Sequence, residues 1–498
     1  MSEALFSNAL RHKAEAFAQR EHGMLIGGQW RPAASGKTLD TFNPATKTHL
    51  GTIASAGPED VDHAAQAAQR AYREVWSRQT PEERQRLLWR LSDRIESCAD
   101  ELAVLETLDS GKPVRDARMM DISHSISMLR YYAGWATKLN GETIAVSRPG
   151  QWHSYTLHQP FAVAGLIVPW NAPIMMAIGK LAPALAAGCC VILKPAELTS
   201  LTALRIGELA CEAGFPDGVI NVVTGLGSVA GQAIVDHPTI EKISFTGSGA
   251  IGRSIMVAGA RHMKRVTLEL GGKSPVVIMR DAELDEAIGS AARGIFANAG
   301  QTCIAGSRVY VHADVYDRVL DGIVSFAKGL VLGDGMQPET QMGPLVSDAQ
   351  LARVRDYIEA GRQEGAAVVT GGNALEMGGH FCAPTVLAQT RQDMRVVREE
   401  IFGPVLCVQR FDDTMSLDGI AQLANDTDYG LGAMLWTRDL STAHKLAATV
   451  KAGTVRINGG GLDPALPFGG FGHSGVGRES GREGIEAFTE KKSIIIAL

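Results

Sequence analysis

Between Phe161 and Leu270, short apolar runs alternate with helical stretches, and this alternation restricts the chain more than any other feature. Val163–Val168, Cys190–Leu193, Val219–Val223, Lys242–Thr246 and Arg265–Leu270 read as strands, with helical segments such as Ala203–Ala213 between them. Strands this uniformly apolar predict burial on both faces, and the βαβ rhythm predicts a parallel sheet covered by helices. A second series begins at Ser274-Pro-Val-Val-Ile and continues through Arg308–His312, Ala367–Thr370, Leu406–Gln409, Ala433–Trp436 and Thr454–Ile457. The fold class is α/β with two such units, and Gly271-Gly272 is the expected boundary. A chain of 498 residues is too long for a single core, in keeping with that division.

The first third reads as mainly helical. Thr80-Pro81-Glu82-Glu83 is a capping box with Pro at the first helical position, followed by Leu88, Leu91 and Ile95 at helical spacing, and Gly111 is the expected stop. A further helix carrying Met128, Tyr131 and Tyr132 is predicted to reach Gly141. Trp152–His158 alternates and reads as a strand outside the main core. The chain ends in the apolar run Ser-Ile-Ile-Ile-Ala-Leu498, whose edge needs a cover. Together these two segments predict a subunit contact in a dimer or tetramer, the alternative being pairing within the chain.

Composition excludes several classes. A formal charge of −6 provides no basic patch for nucleic acid. Seven scattered cysteines without CxxC spacing argue against a disulfide framework and a zinc site, and for reduced thiols in a cytoplasmic setting. No metal site is expected. The opening Met1-Ser-Glu-Ala-Leu-Phe lacks a secretory apolar core, and Glu3, Glu15 and Glu21 weigh against a transit peptide. Phe161 to Gly179 is free of charge, but Pro169, Asn171 and Pro173 break it, so a strand, turn and helix start is expected rather than a membrane span.

Chemistry concentrates on Cys303, which follows Asn298-Ala-Gly-Gln-Thr302, with Glu269 available 34 positions upstream. A thiol beside a carboxylate suits covalent acyl chemistry, and backbone N–H groups at a helix N-terminus would favour the thiolate. A buried structural thiol is the competing reading. Gly247-Ser248-Gly249-Ala-Ile-Gly252 follows a strand and opens a helix, the context in which GxGxxG binds a pyrophosphate. By that pattern Glu269 would be a ribose ligand, which competes with its role beside Cys303.

Six segments in order resemble the NAD(P)-dependent aldehyde dehydrogenase superfamily: Val168-Pro-Trp-Asn171, Phe245-Thr-Gly-Ser248, Glu269-Leu-Gly-Gly-Lys273, Gly300-Gln-Thr-Cys303, Glu399-Glu-Ile-Phe-Gly-Pro404 and Pro467-Phe-Gly-Gly-Phe-Gly-His-Ser-Gly-Val-Gly-Arg478. The resemblance implies that fold, with a variant Rossmann unit (1–140 and 160–270), a catalytic unit (271–475) and an oligomerisation arm (141–159 and 485–498). It implies that the GxGxxG match is partly coincidental and that Glu269 is the base. Cys303 would form a thiohemiacetal and then a thioester. Its oxyanion would be held by Asn171 and the Cys303 N–H, although Asn171 also reads as a plain turn residue. Lys180 and Glu479 would relay protons, or form an ordinary buried ion pair. Cofactor contacts would come from Val168, Pro169, Trp170, Lys194, Glu197, Gly227, Phe245, Gly247, Ser248, Gly252, Leu270, Glu400 and Phe402. For Glu400 and Phe402, a helix-end acid and a core aromatic are the plainer readings. A carboxylate at Glu197 favours NAD over NADP by repelling a 2′-phosphate, although a side chain that swings away would admit NADP.

For substrate, the resemblance places Ala172, Met175, Gly179, Thr302, Ile304, Leu462 and Phe468 along the aldehyde tunnel. Small residues at Ala172 and Gly179, and no cation in that helix beyond Lys180, predict a medium-to-large apolar, aromatic, long-chain or terpenoid aldehyde. His473 stands where the family frequently has Lys, and neither it nor Thr302 gives a firm specificity. A CoA-acylating enzyme is the nearest alternative, disfavoured by the presence of Glu269. A crystallin-like binding protein is another, disfavoured by an intact Cys303, Glu269 and Asn171. A cysteine hydrolase is a third, disfavoured because no His is placed by motif beside Cys303.

Overall fold

A computed structural model describes residues 8–498, so the opening Met1–Phe6 reading and Glu3 lie outside the described residues. The first sheet runs in the order Gly475–Val476, Arg265–Glu269, Lys242–Thr246, Val163–Ile167, Cys190–Lys194, Ile220–Val222, Met24–Ile26, Gln29–Arg31. From Arg265–Glu269 to Ile220–Val222 neighbouring strands are parallel, and four of them are buried at every position. The all-parallel expectation fails at both edges, where Val476 pairs antiparallel with Leu268 and Leu25 pairs antiparallel with Val222. Both added strands come from chain segments remote from the βαβ series, so no crossover helix constrains their direction.

The second sheet runs Ala367–Thr370, Thr385–Ala388, Val405–Phe411, Arg308–His312, Pro275–Ile278, Gly432–Trp436, Thr454–Ile457. Only Ala367–Thr370 is antiparallel to its neighbour. Separate apolar cores cover its faces, one built on Ile295, Val319, Ile323 and Val354, the other on Ile420, Ala421 and Leu446.

The mainly helical reading of the first third is corrected by strands between Glu21 and Ala54. Some of them form a small sheet in the order Glu21–His22, His49–Ala54, Thr38–Phe42. The capping box is present: Glu83 N–H donates to Thr80 Oγ1 at 3.3 Å, and Thr80 N–H donates to Glu83 at 2.7 Å. The helix it opens ends at Ser97, and a second, Ala99–Ser110, stops at Gly111 with φ +78°. The helix Ser123–Trp135 ends short of Gly141. Gly141 instead lies under Trp152–Pro160, where an added Cβ would sit 1.7 Å from the Thr156 carbonyl oxygen.

The terminal strand Thr489–Ala497 pairs antiparallel with Trp152–Pro160 along its whole length, so one of its two hydrogen-bonding edges is covered within the chain. The ribbon still exposes Leu157, Ile495 and Ile496. The uncharged stretch from Phe161 resolves into the strand Val163–Ile167, a turn, and the helix Pro173–Ala187. Among the described residues no helix is long and apolar enough to cross a membrane.

Candidate active site

In the first sheet Phe245 is level with Ile167 and Thr246 with Glu269. The segments leaving these strands, Val168–Asn171, Gly247-Ser248 and Leu270–Gly272, therefore emerge together at the carboxyl edge, where α/β sheets bind ligands. They border a cleft of about 820 Å³ lined by Pro169, Trp170, Asn171, Gly247, Ser248, Leu270, Cys303, Glu400 and Phe402.

Cys303 is delivered by an unusual turn. The helix Leu284–Phe296 ends and the chain passes through Asn298, Ala299 and Gly300 at φ +50°, +52° and +73°. For Ala299 this is a costly backbone, and such strain persists only where the surroundings enforce it. Asn298 Nδ2 donates to the Asn171 carbonyl at 2.9 Å, and the buried Gln301 accepts the Val346 N–H at 2.9 Å. Gly272 permits the closest approach: a Cβ there would lie 2.3 Å from the Cys303 carbonyl oxygen.

The thiol therefore sits in a turn, not at a helix N-terminus, which corrects the expected source of thiolate stabilisation. Burial, then the charges of Glu400 and Glu269, push it up to about 12, against the opposing pull of the backbone N–H groups of Cys303 and Ile304. Asn171 donates one amide N–H to the Gln301 carbonyl at 2.9 Å and keeps a second donor, consistent with either expected role.

Glu269 is buried, and neither of its carboxylate oxygens has a hydrogen-bond partner among the described residues. Burial and the negative charge of Glu479 raise it well above the usual carboxylate range, while Lys180 and Arg478 pull the other way. Lys180 is ion-paired with Glu479 and donates to Ser244 Oγ at 3.0 Å, which itself donates to Glu479 at 3.0 Å. Lys242 contacts Thr267 on the neighbouring strand, and burial lowers it to about 7. Lys242, Ser244 and Thr246 alternate along one strand, with Thr267 and Glu269 beside the last two, so a polar stripe crosses an otherwise apolar sheet face.

A second cavity of about 770 Å³ meets the cleft at Cys303, Thr246 and Met176, which border both. Met175, Gly179, Leu462 and Phe468 line it, as expected. A Cβ at Gly179 would meet nothing within 4 Å, so the missing side chain leaves open space. Ala172, Thr302 and Ile304 do not line it. Ala172 is buried, and Ile304 borders a separate small cavity with Ser274 and Met434. His124, Met128, Met176, Leu466 and Pro467 were missed by the sequence reading. The spacing of His124 and Met128 on one helix face was the available signal for two of them.

The remaining expected cofactor residues divide. Glu400 accepts the Gly272 N–H at 2.9 Å, and Phe402, at φ +61°, meets Trp170 edge-on at 5.3 Å. Lys194 is buried, donates to the Pro195 carbonyl at 2.8 Å and pairs with Glu197 at 3.3 Å. Val168 N–H donates to the Lys194 carbonyl at 3.1 Å, which ties that turn to the cleft. Gly227 has open space where a Cβ would stand. Two glycines of the GxGxxG run are packing residues here: a Cβ at Gly247 would lie 2.5 Å from the Phe245 ring, and one at Gly252 2.6 Å from Leu270. Phe245 and Gly252 line neither cavity, and His473 is exposed on a turn. Flat aromatic walls, an acid at Glu400 and a Lys194–Glu197 pair suit a nucleotide with an aromatic ring and ribose hydroxyls.

The sheet edge thus brings a buried unpaired glutamate and a thiol onto one cavity. Residues 30–494 match the aldehyde dehydrogenase family model. A putative aldehyde dehydrogenase, DhaS, of Bacillus subtilis is 46% identical over 98% of both chains. A phenylacetaldehyde dehydrogenase of Pseudomonas fluorescens is 45% identical over 96% of both. The NAD+ complex of an aldehyde dehydrogenase from Bacillus cereus superposes with a TM-score of 0.96 at 46% identity, covering 100% of each chain. The chain belongs to the aldehyde dehydrogenase family and is an enzyme that oxidises aldehydes.

Proposed function

We propose that the protein oxidises a medium-to-large apolar or aromatic aldehyde to its acid, with NAD as electron acceptor and Cys303 as the covalent nucleophile. The observation that carries this reading is the shared cavity of Cys303 and Glu269, in which the glutamate is buried, unpaired and raised in proton affinity. Cys303 Sγ adds to the aldehyde carbon, and the oxyanion is met by the free amide N–H of Asn171 and the Cys303 backbone N–H. A nicotinamide held in the cleft would accept the hydride from the former aldehyde carbon, the oxidation that leaves Cys303 as a thioester. Glu269 then takes a proton from water, which hydrolyses the thioester. Lys180 and Glu479 hold and pass on that proton.

Lys194 and Glu197 would hold the adenosine ribose, with Val168, Pro169 and Gly227 along the same wall. Glu400 would bind the nicotinamide ribose, while Trp170, Leu270 and Phe402 would border the ring. Gly247 and Ser248 would face the phosphates, and Phe245 and Gly252 would act by packing. Carboxylate at Glu197 supports NAD over NADP. The NAD+ complex of the B. cereus relative supports the same cofactor.

The walls of the second cavity, with Met128, Met175, Leu462 and Phe468, support an apolar substrate. The phenylacetaldehyde dehydrogenase relative supports an aromatic substrate. We further infer that the two sheets mark a cofactor unit and a catalytic unit, and that the exposed apolar ribbon face is covered in a homo-oligomer. Seven free cysteines support a reducing, cytoplasmic setting.

The test is NADH formation with a panel of aldehydes, comparing wild type with Cys303→Ala and Glu269→Gln. Loss of turnover in the first, and a stalled acyl-enzyme in the second, are expected. A clear preference for acetaldehyde or betaine aldehyde would remove the wide-tunnel reading.

A further inference from the structure

The tunnel wall carries one imidazole that neither the fold nor the chemistry above uses. His124 lies one helical turn before Met128 on the helix Ser123–Trp135, and both border the 770 Å³ cavity. No hydrogen bond joins its ring to another described residue. Around it the wall is largely apolar, with Met175, Leu462 and Phe468. Met176, Thr246 and Cys303 border both cavity and cleft, so they mark the junction where the thiol meets the carbonyl carbon. His124 borders the tunnel but not the cleft.

Two acids bear on the ring. Asp121, one turn earlier, is ion-paired with the buried Lys112, and Asp463 lines the same cavity. Burial holds the imidazole below its ordinary value, against the pull of both acids. A neutral imidazole offers one N–H donor and one acceptor nitrogen. We propose that His124 is a specificity-determining residue that hydrogen-bonds a hydroxyl group on the far end of an aromatic or long apolar aldehyde. A hydroxyl both donates and accepts, so it satisfies either tautomer. An anionic tail would meet Asp121 and Asp463, and an ammonium tail would lose its hydration against Met128, Met175 and Leu462. The proposal rests on the aldehyde-tunnel reading above and narrows its substrate class.

The matched pair is phenylacetaldehyde and para-hydroxyphenylacetaldehyde, assayed on the full-length enzyme. A neutral hydrogen bond to a half-buried group is expected to favour the hydroxylated member by roughly 3- to 10-fold in kcat/KM, expressed mainly in KM. His124→Leu should bring that ratio to about one or below, and His124→Gln, which keeps a donor and an acceptor, should retain part of it. Reading the ratio cancels any general loss of active enzyme. Equal efficiency in the wild type, or a ratio unmoved by His124→Leu, overturns the proposal while leaving the tunnel reading intact. Oxidation of neither compound by an enzyme that turns over shorter aldehydes overturns both.

Discussion

One added methyl group at Gly272 tests whether Cys303 is placed by backbone packing. A Cβ there would lie 2.3 Å from the Cys303 carbonyl oxygen and 3.3 Å from Leu431 Cβ. Ordinary contact begins at 3.4 Å, so one of the two main-chain segments must retreat by roughly 1 Å. Gly272 has little freedom to do so. Its N–H is held by Glu400 at 2.9 Å, and a Cβ on the preceding Gly271 would lie 2.3 Å from the same carboxylate. A reacting atom misplaced by about 1 Å loses on the order of 100-fold in rate.

Gly272→Ala should therefore lower kcat by about 100-fold. The overpacking itself costs stability of only about 1–3 kcal/mol. Gly294→Ala is the control: it lies within the helix Leu284–Phe296, and its Cβ would meet nothing within 4 Å. That variant should keep its turnover and gain about 0.5–1 kcal/mol of helix stability. NADH appearance reports kcat, iodoacetamide labelling reports access to the thiol, and thermal unfolding reports stability. A Gly272→Ala enzyme within about threefold of wild type in kcat, labelled at the wild-type rate, would refute the reasoning.

Glu269 is raised above its ordinary 4.5, so the folded state binds its proton more tightly than the unfolded state. Its burial thus opposes folding increasingly as pH rises from 4.5, and Glu269→Gln should gain in Tm over wild type in that range but not below it. A Tm difference independent of pH would count against the assignment. Lys180 lowers the proton affinity of Glu269, so Lys180→Met should move the pH of half-maximal deacylation upward. A pH–rate profile that moves down or stays in place would contradict this. Asn171→Ala removes an oxyanion donor and should reduce kcat by about 100- to 1,000-fold with a smaller change in KM. Equal loss of binding and turnover would point to the plainer role in the turn.

What the sequence discloses follows where local pattern and tertiary structure agree. Lys242–Thr246 and Arg308–His312 are read to the residue because buried parallel strands need apolar runs bounded by turns. The strands at Glu21–His22, Met24–Ile26 and Gln29–Arg31 escape because they are two or three residues long. Their partners, such as Val222 for Leu25, lie far along the chain. Within the site, Cys303, Glu269 and Asn171 are legible through motif. The left-handed Ala299 is not, since alanine carries no preference for that backbone. The resemblance places Ile304 in the tunnel, yet it borders a separate cavity with Ser274 and Met434. The polar stripe through Lys242 and Ser244 was visible as a two-residue period inside an apolar strand. Each of those residues alone is an ordinary exception in a strand, so the pattern points to a strand and not to a site.

The electrostatics of the cavity constrain the order of proton movements. The Cys303 thiol is held at about 12, in part by the charge of Glu269, so a resting thiolate beside an ionised glutamate is disfavoured. In the proposed mechanism the proton then leaves sulfur as the carbon–sulfur bond forms, and Glu269, on the same cavity with free lone pairs, would receive it. A glutamate so protonated cannot then act on water. In the proposed sequence it is discharged between the two half-reactions, and the neighbouring carboxylate of Glu479, held by Lys180 and Ser244, is the candidate acceptor. Under the proposed mechanism, the burial that raises Glu269 makes that discharge necessary, and Lys180 and Glu479 would carry it.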